Sequence, residues 1–239
     1  MDLTDLAVKI FADGADIAGM RVMRDKPYIK GFTTNPTLMR KAGITDYEGF
    51  ARSVICAIPD LPISFEVFAD DFAAMEAQSR RIASWGDNVY VKIPVTDTSG
   101  RSAVPLIRRL AAAGVKQNVT ALMTLQQAQE VAGALAGGPS SYISVFAGRI
   151  ADSGRDPLPI MSACLRLMES EPQLELIWAS PREVYNIIQA NDIGCHIITV
   201  TNDLLAKTAL FGKDLDDFSR ETVQMFYSDA VAAGFTLTV

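Results

Sequence analysis

A single lysine sits where a lysine is least expected. Lys92 lies within the apolar run 89–93, flanked by Val91 and Ile93. If that run is a strand, alternation puts Val89, Val91 and Ile93 on one face and Asn88, Tyr90 and Lys92 on the other. A lysine directed into a protein interior is costly to bury as an ammonium, and desolvation favours the neutral amine. A neutral lysine amine is the nucleophile that condenses with a ketone to give a Schiff base. The structural alternative is an ion pair with Glu66 or Asp13.

Other polar residues fall at the ends of similar runs. Asp13 closes the first, Thr33-Thr34-Asn35 the second, and Glu66 lies in the third beside Ser64 and Phe68. Asn118 and Thr120 lie in the fifth, Ser144 in the sixth with Phe146 and Arg149 just beyond, and Ser180 and Arg182 follow the seventh. Each has an ordinary reading. Asn35 precedes Pro36 and suits a turn or a helix cap, Asn118 and Thr120 could be polar filling, and Arg149, Ser180 and Arg182 could be caps and surface charges. Together they describe carboxylates and amides around an amine. Two arginines and a serine at a helix start make a phosphate clamp.

The elements that must position these residues follow from the hydrophobic pattern. Short apolar runs rich in β-branched and aromatic types occur at 8–12, 29–33, 63–68, 89–93, 115–120, 142–146, 174–179 and 195–200. Buried parallel strands have this composition. Helical spacing occupies 69–84, 101–113 and 124–136, and Pro181 after a serine predicts a helix over 181–189. Eight strand–helix units mean a (β/α)8 TIM barrel or a doubly wound open sheet. The open sheet's GxGxxG after the first strand is missing, which favours the barrel. The expectation is a single-domain barrel over 1–239, with about 215–239 as a C-terminal helical extension. Barrel enzymes work at the carboxyl ends of their strands, where the polar residues fall.

Composition narrows the partners. The 239 residues carry a formal charge of -6 and are 49% hydrophobic, with no basic stripe. Nucleic acid is therefore not an expected partner. Cys56, Cys164 and Cys195 form no CxxC pair and read as reduced core thiols. His196, the one histidine, reads as packed within an apolar run. No apolar stretch approaches the roughly 20 residues that span a bilayer, and the acidic start lacks the order of a signal peptide. The expected location is cytoplasmic, with no membrane partner.

Seven segments then fall into a known order: FADGADI at 11–17, TTNPTLM at 33–39, FEVFADD at 65–71, VKIPVT at 91–96, QNVTALMTLQQA at 117–128, SVFAGRIADSGRD at 144–156 and WASPREVYNIIQA at 178–190. In these the chain resembles the transaldolase family, class I Schiff-base enzymes with a barrel fold. The resemblance implies that Lys92 carries the Schiff base and that Asp13 is the acid/base for bond cleavage. It implies that Glu66 works through a water held by Thr120. It gives Asn35 and Asn118 the hydroxyls of the intermediate, Arg149, Ser180 and Arg182 the phosphate, and Ser144 a place in the pocket wall. The implied substrates are sugar phosphates: a three-carbon dihydroxyacetone unit moves from a ketose phosphate to an aldose phosphate. The iminium is the electron sink, so no metal or organic cofactor is implied.

Three positions depart from the family pattern at the rim: Gly14 stands where a small hydroxyl residue is usual, Pro181 separates Ser180 from Arg182, and Thr201-Asn202 replaces a Ser-Pro pair. Two rival functions follow. One is an aldolase resembling fructose-6-phosphate aldolase, which releases the free ketone. In such relatives a glutamine stands at the position of Glu66 and a tyrosine at that of Phe146, so this chain carries the transferase choice at both. The other is a silent sugar-phosphate-binding barrel, against which the set of Lys92, Asp13 and Glu66 argues. Smaller barrels of the family assemble, and Phe218, Val223, Phe226 and Val231 in the last helical segment could dock on a second copy or on the barrel itself.

Overall fold

Every apolar run becomes a strand. In the computed structural model, which describes residues 2–237, β1 (Lys9–Asp13), β2 (Ile29–Thr33), β3 (Ile63–Glu66), β4 (Val89–Pro94), β5 (Gln117–Leu122), β6 (Ser141–Val145), β7 (Leu174–Trp178) and β8 (Ile197–Thr201) pair in sequence order and close into one parallel barrel. The closing pair runs β8 to β1 with Asp13 opposite Thr201. This is the expected single-domain TIM barrel.

Helices cover the outside because the outer faces of the strands are mostly apolar. Val89, Val91 and Ile93 of β4 belong to one buried apolar cluster with Met75 and Ile82 of α4 (Phe72–Ala83) and Leu106, Ile107 and Leu110 of α5 (Val104–Ala112). Helix starts are capped as the sequence allows. Asn35 caps α2 (Pro36–Lys41), accepting the Leu38 N–H at 2.9 Å, with Pro36 as its first residue. Thr124 and Gln127 form a capping box at α6 (Leu125–Leu135). Such caps contribute about 0.5–2 kcal/mol each.

The inner faces build a separate core below the polar rim. Phe11, Tyr90, Tyr142, Ile177 and Ile197 cluster inside the barrel. Tyr90 and Tyr142 stack at 4.1 Å, and Phe11 meets Tyr142 edge-on at 5.6 Å. Gly31 makes room for this plug, since a Cβ there would lie 2.6 Å from the Phe11 ring. Lys9 and Glu175 form an ion pair at the amino-terminal end of the strands.

Several expectations are corrected in detail. The helix placed at 181–189 runs instead over α9 (Asn186–Asp192). Asn186 Oδ1 accepts the backbone N–H groups of Arg182 and Glu183 at 2.8 and 3.1 Å, which folds 182–186 into a turn ahead of the helix. Ser180 therefore does not start a helix; its backbone is left-handed, φ +60°. Cys56, on α3 (Tyr47–Ala57), is exposed, while Cys164 and Cys195 are core thiols. His196 is packed, its Nδ1 accepting the Leu176 N–H at 3.0 Å, and burial pushes its pKa down.

The C-terminal extension is helical over α11 (Leu215–Ala232), with positions 238 and 239 outside the described residues. No residue of α11 is buried. It does not dock on its own barrel in the way the amphipathic pattern allowed. Among the described residues no helix is long and apolar enough to cross a membrane.

Candidate active site

The strand register sets the site. Glu66 lies opposite Lys92, Lys92 opposite Asn118, and Pro94 opposite Thr120. Asp13 lies opposite Thr33. Side chains at the carboxyl ends of adjacent strands therefore converge on one opening. A cavity of about 470 Å³ there is lined by Asp13, Asn35, Glu66, Lys92, Asn118, Thr120, Ser144, Phe146, Arg149 and Ser180. Ten of the eleven residues singled out from the sequence meet in it. Arg182 is the exception.

Lys92 is 8% exposed and sits at the junction of both readings offered for it. Its Nζ lies 3.4 Å from Glu66 Oε2 and donates to the Thr34 carbonyl at 3.2 Å. Thr34 is held in turn, its hydroxyl donating to the Ser64 carbonyl at 2.9 Å. The Tyr47 hydroxyl donates to the Glu66 carbonyl at 2.6 Å, which braces the end of β3. Burial, then the nearby Glu66 charge, pushes the Tyr47 phenol up.

Asp13 faces the same cavity. Burial holds its carboxyl above the usual range, against the opposing pull of the Lys92 charge and of a hydrogen bond from Thr33. A carboxyl raised in this way is easier to protonate than an ordinary one, which suits a group that exchanges protons.

The amides are held firmly. Asn118 Nδ2 donates to Ser64 Oγ at 2.9 Å and its Oδ1 accepts from Ser144 Oγ at 2.7 Å. This leaves one Nδ2 hydrogen for a ligand. Asn35 uses its oxygen to cap α2, which leaves its Nδ2 hydrogens available, so the cap reading and the binding reading both stand. Thr120 is 2% exposed and its hydroxyl has no protein partner among the described residues. Next to it, Ala121 takes a left-handed conformation, φ +65°, within a register shift of β5.

At the far wall, the Arg149 guanidinium stacks over the Phe146 ring at 5.6 Å. Arg182 turns outward, and its Nε lies 3.0 Å from both carboxylate oxygens of Asp152. The clamp of two arginines thus has one arginine on the cavity wall. Thr33, Ser64 and Thr199 were given no role from the sequence. Thr33 and Thr199 line the cavity, and Ser64 holds Asn118. The signal for all three was their place on the inward face of a strand.

A groove of about 460 Å³ at the amino ends of β4 and β5 is lined by Arg80, Asp87 and Lys116. Its cations are engaged, Arg80 by Glu76 and Lys116 by the Asp87 carbonyl. It holds no set of groups comparable to that around Lys92.

The family model for transaldolase/fructose-6-phosphate aldolase matches residues 10–237. The chain belongs to that family. A relative from Dehalococcoides mccartyi named "Probable transaldolase" is 34% identical over 199 residues, 83% of this chain and 88% of its own. Another of that name, from Streptococcus pyogenes serotype M5, is 36% identical over 201 residues, 84% of this chain and 89% of its own. Among solved structures, N-acetylneuraminate lyase from Mycoplasma synoviae superposes with a TM-score of 0.55 at 12% identity, covering 95% of this chain and 82% of that one. That likeness is one of fold alone. Within the transaldolase/fructose-6-phosphate aldolase family, the cavity at the carboxyl ends of the strands is the part of this chain with the groups to act on a carbonyl compound.

Proposed function

We propose that the chain is a class I transaldolase that moves a three-carbon dihydroxyacetone unit from a ketose phosphate to an aldose phosphate. The observation that carries this reading is the buried Lys92 amine within 3.4 Å of Glu66, in one cavity with Asp13. Lys92 Nζ attacks the ketone carbon, and loss of water gives an iminium. Glu66 serves the proton transfers of that dehydration through a water that the Thr120 hydroxyl would hold. Asp13 takes the proton of the hydroxyl on the far carbon of the breaking bond, the carbon that becomes the aldehyde of the departing aldose phosphate. The C–C bond then cleaves, its electron pair moves into the iminium to form an enamine, and the aldose phosphate leaves. The enamine attacks an acceptor aldehyde by the reverse steps, and hydrolysis frees the product and Lys92.

The amides of Asn35 and Asn118 bind hydroxyls of the intermediate, with Ser144 fixing Asn118. Arg149 and Ser180 hold the phosphate, while Arg182 supports them through Asp152. The location is cytoplasmic, and a second copy of the chain covers the exposed apolar side of α11.

Borohydride added with fructose 6-phosphate tests the reading. A reduced three-carbon adduct is expected on the peptide containing Lys92, with adduct and turnover both lost in Lys92→Met. An adduct on a different lysine overturns the mechanism.

A further inference from the structure

Gly148 is the second residue of α7 (Ala147–Asp152), immediately before Arg149. A Cβ at Gly148 would lie 1.6 Å from the Ser180 carbonyl oxygen and 2.7 Å from its carbonyl carbon. These are backbone atoms and cannot swing aside as a side-chain end would. The Gly148 N–H also meets the Ala179 carbonyl at 3.4 Å. At this contact Ser180 adopts its left-handed conformation, one that serine rarely takes without surrounding structure to enforce it. Ser180 and Arg149 line the same cavity. The Cγ of Arg182 lies 3.3 Å from the same point above Gly148, and the Arg182 head binds Asp152, the last residue of α7.

We propose that Gly148 is a positioning residue for the substrate phosphate: its missing side chain lets the Ser180 peptide lie on α7, which keeps Ser180 on the wall that Arg149 forms. Arg182 closes the clasp from outside, its stem over Gly148 and its guanidinium on Asp152. This rests on the reading that Arg149 and Ser180 bind phosphate.

The test compares the wild type, Gly148→Ala and Arg149→Ala with fructose 6-phosphate as donor. Glyceraldehyde 3-phosphate and unphosphorylated glyceraldehyde serve as acceptors, and inorganic phosphate as a competitive inhibitor. In Gly148→Ala the ratio of kcat/KM for the phosphorylated over the unphosphorylated acceptor is expected to fall at least tenfold, and inhibition by inorganic phosphate to weaken as much. An unchanged ratio in a folded Gly148→Ala, with Arg149→Ala still selective against the phosphorylated acceptor, overturns this proposal alone. An unchanged ratio in Arg149→Ala overturns the phosphate reading and this proposal with it. If Gly148→Ala does not fold, Gly148→Ala/Ser180→Gly frees the peptide at 180 and is compared with Ser180→Gly. A further tenfold loss of the ratio supports the proposal, and equal ratios overturn it.

Discussion

The Thr33 hydroxyl donates to Asp13 Oδ1 at 2.8 Å, across a strand pair that places the two residues side by side. The bond stabilises the ionised form of Asp13, the form that accepts a proton in the proposed cleavage step. A hydrogen bond to a charged group contributes about 1.5–3 kcal/mol. Thr33→Val removes the donor while keeping the shape, so the Asp13 carboxyl rises further. The acid limb of the kcat/KM–pH profile is therefore expected to move to higher pH, and Thr33→Ser to restore it. A limb that stays in place in Thr33→Val would separate Thr33 from the proton transfer.

Asp13 also bears on stability. Its folded-state carboxyl is raised above the unfolded value, chiefly by burial. The stability it contributes is full below the unfolded pKa and is lost as pH rises through the folded one. Above that folded-state pKa the ionised group opposes folding. Asp13→Asn is expected to have a Tm at pH 7 at or above that of the wild type, with the advantage shrinking toward pH 4, while turnover falls at least about a thousandfold. Calorimetry across that range reads it; a Tm gap that widens on acidification contradicts the sign.

In the proposed mechanism, transfer and release are expected to diverge at two positions. Phe146 lines the cavity under Arg149 and offers no hydroxyl to activate water. The Glu66 side chain lies 3.4 Å from the Lys92 amine, at the position where the resemblance implies a glutamine in aldolase-like members. Comparing donor consumption with free dihydroxyacetone, transfer is expected to dominate in the wild type. Release should rise several-fold in Phe146→Tyr and in Glu66→Gln. Wild-type release as fast as donor consumption, with acceptor present, replaces the transaldolase reading by the aldolase one.

On α11, Val223, Met225, Phe226, Tyr227 and Val231 are each more than half exposed. These exposed apolar side chains are the basis of the proposed association surface. Light scattering is expected to show an oligomer that Phe226→Glu with Val231→Glu disperses, with loss of Tm. A wild-type monomer at low micromolar concentration removes the interface.

The barrel was legible because the outer faces of the strands are mostly apolar, and all eight runs lie within two residues of the observed strands. The candidate site was legible for a related reason: Lys92, Glu66 and Asp13 are charged residues in apolar runs, where alternation turns them inward. What escaped was fixed by contacts between distant segments. Nothing near Arg182 in the chain announces Asp152, and the turn made by Asn186 looks in sequence like a helix started by Pro181. The left-handed Ala121 left no trace either, since an alanine carries no mark of positive φ. Thr33 was in view at the end of its strand, but its bond to Asp13 depends on a register that only the closed barrel reveals.

The aromatic stack of Tyr90 and Tyr142, wedged by Phe11, gives this barrel a floor. Lys92 stands above it, facing the doorway at the carboxyl ends of the strands. A first product that leaves by the opening through which the acceptor arrives makes the two sugars take turns, and double-displacement (ping-pong) kinetics are the expected outcome. Water uses the same doorway. An acceptor that fills it shields the enamine from hydrolysis simply by standing in the way.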